Sequence, residues 1–133
     1  MKPEHIDVPV LPPDAHLGHD CSGVADVLSR VGDKWSVLVI MLLGDRPRRF
    51  NELKRMIGGI SQRMLTLTLR GLERDGLVTR TVFLTVPPRV DYELTDLGRG
   101  LSEPVKALGA WAHAHQPDIQ TARHNYDGRN STD

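Results

Sequence analysis

The hydrophobic pattern changes period between Phe50 and Leu94, and that change restricts the fold more than any other feature of the chain. Phe50, Leu53, Met56 and Ile57 recur at helical spacing until Gly58-Gly59 interrupts them. Ile60 and Ser61 then open a second helical pattern, with Leu65, Leu69 and Leu72 on one stripe, that stops at Asp75-Gly76. Two short helices joined by a glycine-containing connection predict a helix-turn-helix, in which the first helix braces the second. From Leu77 the period falls to 2: residues 77–84 are rich in β-branched side chains, and residues 89–94 alternate polar with apolar. Pro87-Pro88 cannot donate to a central ladder and belongs in the connection. A helix-turn-helix followed directly by a hairpin predicts a winged helix, a mainly α fold with a small β-hairpin (α+β).

Helical segments flank this motif. Val24, Val27, Leu28 and Val31 predict a first helix over 22–31, ended near Gly32. Asp33 is the N-cap candidate of a second helix that is apolar almost all round, with Gly44 as its stop, so it should occupy the centre. After Thr95, another N-cap candidate, Leu97, Leu101, Val105, Leu108, Trp111 and Ala112 continue a helix with Pro104 inside it. The 133 residues thus divide into a mobile tail (1–20), a winged helix-turn-helix domain with a C-terminal dimerisation helix (21–115) and a second mobile tail (116–133). The longest apolar run, residues 37–43, is far short of the ~20 residues that cross a bilayer. With no secretory signal either, a cytoplasmic protein with no membrane partner is expected. Cys21 is the single cysteine, so it can form no internal disulfide.

Seventeen basic and seventeen acidic side chains cancel overall, but not along the chain. Residues 44–90 hold ten basic against four acidic, while the two flanks hold three against six and four against seven. A positive centre between negative flanks is the footprint of a phosphate-binding surface. On a helical wheel Arg63, Thr66, Arg70 and Arg74 fall within ~80° of one another, roughly opposite Leu65 and Leu72. Ser61 and Gln62 stand at the start of that helix, where open backbone amides favour a phosphate and base edges are first met. Gln62 suits adenine, Arg63 suits guanine, and Thr66 suits a thymine methyl or a phosphate. Arg70 reads as a phosphate or structural contact. Arg48 and Arg49, with Lys54 and Arg55, flank the bracing helix and should position the protein on the sugar-phosphate backbone. Arg89, beside the hairpin tip, is placed for a minor groove.

The segments DKWSVLVI, RPRRFNEL, GISQRMLTLTLRGLERDGLVTR and VPPRVDYELTDLGRGL, in that order, resemble the HxlR-type winged-helix transcriptional regulators of bacteria, within the MarR-like superfamily. The resemblance covers residues 21–111. It implies a homodimer built from the N- and C-terminal helices, with two recognition helices in successive major grooves of double-stranded DNA. Residue by residue it places Ser61, Gln62, Arg63 and Thr66 on the recognition helix and Pro87, Pro88 and Arg89 on the wing. Leu67 stands where the family commonly has a polar residue; beside the Arg63 stripe, it either touches a thymine methyl or reduces the contact of that face with DNA.

Leu101, Val105, Leu108, Trp111 and Ala112 form an apolar stripe with little domain left to cover it, which argues for a twofold partner independently of the resemblance. Packing back on its own domain is the competing reading. Cys21 matches the cysteine before the first helix of the family, which in some members senses oxidants or electrophiles. It reads either as such a sensor or as a small, inert interface residue, with Asp20 opposing a lowered thiol pKa. The sequence shows no nucleophile elbow, no glycine loop for phosphate and no paired acids on a strand end, so no catalytic residue and no cofactor is expected. Two other readings stay open. One is a metal-responsive regulator drawing on His113, His115, His124 and Cys21, although no metal ligand set is expected from the spacing. The other is a winged helix that binds only proteins. Repression is the expectation for so small a regulator, with an oxidant or small molecule as the effector.

Overall fold

The second helix, α2 (Lys34–Leu43), runs through the middle of the domain. The Asp33 carboxylate accepts from the Ser36 backbone N–H at 3.1 Å, capping the helix as its sequence position requires. Val39 and Ile40 are fully buried, and α2 touches the preceding helix, both helices of the motif, the sheet and the last helix. The structure is a computed structural model that describes residues 17–131, with side chains from 22 to 130.

Before α2 lies α1 (Leu17–Val31), and after it come β1 (Arg48–Arg49), α3 (Phe50–Ile57) and α4 (Gln62–Arg74). Gly58 and Gly59, at φ +65° and +75°, make the turn between α3 and α4 in a region that side-chain-bearing residues avoid. Leu53 from α3, Ile60 from the turn, and Leu65, Leu69 and Leu72 from α4 close on α2 as one core. The wheel reading of α4 therefore holds on its inward face.

The hairpin is β2 (Val78–Phe83) and β3 (Arg89–Leu94), paired antiparallel from Val78↔Leu94 to Phe83↔Arg89. On the other edge of β3, Arg48 pairs with Tyr92 and Arg49 with Asp91, giving the order β1-β3-β2. The sequence reading placed no strand at Arg48, because two residues are too few to display a period.

The last helix, α5 (Asp96–Ser131), is capped by Thr95, whose hydroxyl accepts from the Gly98 N–H at 3.0 Å and donates to the Gly76 carbonyl at 2.6 Å. It runs through Pro104 and Pro117 and is about 54 Å long at 1.5 Å per residue. Two expected boundaries move. Residues 116–131 continue the helix where a tail was expected, because Ile119, Ala122 and Tyr126 prolong the helical spacing of Leu108 and Ala112 beneath a polar composition. Residues 17–20 belong to α1, while the rest of the expected tails, 1–16 and 132–133, lies outside the described residues.

Candidate nucleic-acid interface

The outer face of α4 is built by exclusion. With Leu65, Leu69 and Leu72 committed to the core, helical spacing turns Gln62, Arg63, Arg70 and Arg74 out to solvent and leaves Thr66 half-buried. Ser61 is the N-cap: its hydroxyl oxygen accepts from the Met64 N–H at 3.0 Å, which starts the helix and leaves the hydroxyl proton available. By helix geometry the N–H groups of Gln62 and Arg63 have no partner inside α4 and point along the positive end of its dipole.

Two clefts flank this face. One is lined by Gln62, Thr66, Arg70 and Glu73 of α4 with Arg80 and Tyr92 of the sheet. The other is lined by Arg49 and Asn51 at the start of α3 and by residues 85–90 of the wing. Phe50 and Val90 line both, so α4, the start of α3 and the wing form one continuous surface. Arg49, Arg63, Arg70 and Arg80 pair with no carboxylate among the described residues. Arg80 was missed by the sequence reading. It shares a sheet face with Tyr92 only through their cross-strand pairing.

Two expected DNA contacts have partners within the chain: Arg48 is turned inward, and Arg89, which lines the wing cleft, is engaged there by its neighbours. The Arg48 side chain is only 11% exposed; its Nε donates to the Leu42 carbonyl at 2.6 Å and its Nη1 to Glu52 at 3.1 Å. It joins the end of α2 to α3. Arg89 lies with its Nε 3.2 Å from Asp91 Oδ1 and its guanidinium 4.1 Å from the centre of the Phe83 ring. The pair and the stack engage it at the last paired position of the hairpin, opposite Phe83 and next to the tip.

Glu52 organises the bracing helix. It accepts from Arg46, from Arg48 and, at 3.4 Å, from the Arg49 backbone N–H. Burial alone would raise its carboxyl pKa, but the Arg46 and Arg49 hydrogen bonds and the charges of Arg46 and Arg48 outweigh this and hold it below the usual carboxylate range.

The stripe on α5 divides. Val105 is buried in the chain's own core and Leu101 packs against it, so for these two the competing reading, packing on the same domain, is the one observed. Leu108 and Trp111 are 59% and 53% exposed, Ala112 is exposed, and Val24, Val27 and Leu28 of α1 are uncovered as well. Trp111 stacks on His115 at 4.4 Å between ring centres. The backbone of Cys21 lies within α1 rather than ahead of it. Among the described residues no three His, Cys, Asp or Glu side chains converge on a metal position, and no helix is long and apolar enough to cross a membrane.

A helix-turn-helix with an antiparallel wing, its outer helix face cationic and its inner face buried, defines the class of winged-helix DNA-binding transcriptional regulators. The family follows from comparison: the model of the HxlR-like helix-turn-helix family matches residues 30–120, and the chain belongs to that family. It is 41% identical over 98 residues to the HTH-type transcriptional regulator YtfH of Escherichia coli K12, covering 74% of this chain and 78% of that one. Among solved structures it is similar to the transcriptional regulator ytfH from Salmonella typhimurium, with a TM-score of 0.73 and 39% identity over 76% of this chain and 90% of that one. It is also similar to the redox regulator HypR in its reduced form, with a TM-score of 0.68 and 39% identity over 74% and 98% of the two chains.

Proposed function

We propose that the chain is a dimeric repressor that reads a pseudopalindromic operator with α4 in the major groove. The observation that carries this is the segregation of α4: Arg63 and Arg70 exposed without carboxylate partners, beside Gln62 and Thr66, and opposite three leucines that are at most 1% exposed. Gln62, Arg63 and Thr66 are assigned to base edges, the Ser61 end and Arg70 to phosphates, and Arg49 and Arg80 to the backbone on either side. Arg48 and Arg89 are assigned to shaping the bracing helix and the wing. A regulator of this kind works in the cytoplasm, where its DNA is.

The dimer reading rests on Leu108, Trp111 and Ala112 of α5 together with the uncovered apolar face of α1. Beyond them His115, Ile119, Ala122 and Tyr126 extend the alternating three- and four-residue spacing of a helix-pairing seam. If the two α4 helices of such a dimer occupy successive turns of the duplex, the half-site centres lie about 34–36 Å apart. Cys21, on α1, is assigned to sensing an oxidant, a reading supported by the similarity to HypR, a redox regulator.

The test is enrichment of duplexes from a random pool, followed by salt-titrated binding of the best sequence before and after diamide. Twofold-related half-sites and a steep salt dependence are expected, with affinity changed by diamide in the native chain and not in Cys21→Ser. Failure to enrich any sequence would remove the operator reading.

A further inference from the structure

We infer that the wing tip is an apolar wedge: Leu84 and Val86 enter the minor groove beside the α4 site and unstack one base step. The inference rests on the DNA-binding reading above and adds a specificity determinant to it. Leu84 is 94% exposed and Val86 101%, against 64% for Leu97, the next most exposed large apolar side chain among the described residues. Nothing in the domain covers them, and water is a poor environment for both.

The tip is also preformed. The Thr85 hydroxyl donates to the Pro87 carbonyl at 2.8 Å, and Pro87 and Pro88 have their φ angles fixed by their rings. Ordering this loop on a ligand therefore costs little conformational entropy. The hairpin behind it, six paired positions from Val78 to Phe83, carries the tip about 20 Å from the sheet's root.

Charge decides the mode of contact. Residues 84–88 read Leu-Thr-Val-Pro-Pro and carry no cation, and the adjacent Arg89 is held by Asp91 and the Phe83 ring. A tip of this composition brings no cation to a phosphate, whereas aliphatic side chains between base steps are the way proteins bend DNA from the minor groove. The occupant follows from continuity. Val86 and Pro87 share a cleft with Arg49 and Asn51, and that cleft shares Phe50 and Val90 with the α4 cleft. With α4 in a major groove and Arg49 on the intervening backbone, the tip falls on the neighbouring minor groove. It should favour flexible pyrimidine–purine steps there, at positions α4 never touches.

The test uses the full chain and a duplex it has enriched from a random pool. Adenines flanking each half-site are replaced one at a time by 2-aminopurine, and dyes on the two ends report bending. The native chain should raise 2-aminopurine fluorescence at one flanking step and shorten the end-to-end distance. Leu84→Ser with Val86→Ser should abolish both signals and weaken that duplex about tenfold, with the salt slope unchanged. Leu84→Met with Val86→Ile should retain them. Equal fluorescence and bending in the native and double-serine chains would overturn the wedge, as would a loss that is uniform over all duplexes. Failure of the native chain to enrich any duplex would overturn the operator reading instead, so the two failures are distinguishable.

Discussion

The Arg30 guanidinium donates to the Asp75 carboxylate at 2.7 Å, tying the last turn of α1 to the C-cap of α4 across 45 residues of sequence. The same guanidinium lies over Gly71, where an added Cβ would collide with it. The helix of the expected dimer seam and the helix of the expected DNA face are thus in direct contact. Both partners are about a third exposed, so the pair itself contributes about 0.5 kcal/mol after solvent screening.

This contact makes Gly71 a sensor of Arg30. Alanine at a helix-interior glycine is ordinarily stabilising by about 1 kcal/mol. In the native chain Gly71→Ala should gain less than this, because the guanidinium must move and the Asp75 bond is lost. Combined with Arg30→Ala, it should recover the full gain. Urea denaturation of the four chains in the double-mutant cycle measures the difference, and equal gains in both backgrounds would show that the contact is not formed.

The two faces of α4 should respond oppositely to truncation. Leu65→Ala removes a fully buried side chain and should cost about 2–5 kcal/mol of stability, read by chemical denaturation. Leu67→Ala, at a position 46% exposed, should cost under about 1 kcal/mol. If Leu67 meets a thymine methyl, its loss instead shows in affinity for the enriched duplex.

Arg63→Ala should weaken the enriched duplex by about 1–3 kcal/mol and relax one base position. Arg49→Ala should weaken all duplexes alike and reduce the salt slope by about one. An unchanged ratio of specific to random affinity in Arg63→Ala would end its assignment to a base edge.

The Glu52 cluster sets a pH dependence with a definite sign. Its folded-state pKa lies below the unfolded value of about 4.3. The stabilisation it brings is therefore complete above that value and is lost as pH falls through the lower folded one. Melting temperatures from pH 6 downward should show the native chain losing stability below about pH 4.3 more steeply than Glu52→Gln. Parallel curves would mean that the carboxylate is not held by Arg46 and Arg48.

Leu108→Asp places a charge on the uncovered stretch of α5 and should shift sedimentation from dimer to monomer without unfolding the domain. Val105→Asp, inside the core, should instead unfold it. Monomeric native protein at micromolar concentration would remove the dimer seam.

What the amino-acid order determined unaided is whatever depends on near neighbours. The caps at Asp33, Ser61 and Thr95, the glycine turn at 58–59, the period change at Leu77 and the leucine stripe of α4 are all set within a few residues, and the winged-helix architecture follows from them. Only the folded chain decided the rest. The pairing of Arg48 with Tyr92 creates β1, and the contact of Val105 with the core takes it off the candidate interface. Arg48 turns to Leu42 and Glu52, while Arg89 turns to Phe83 and Asp91. An arginine's long side chain can reach any of several partners brought near by folding, so its charge is visible in the sequence but its direction is not.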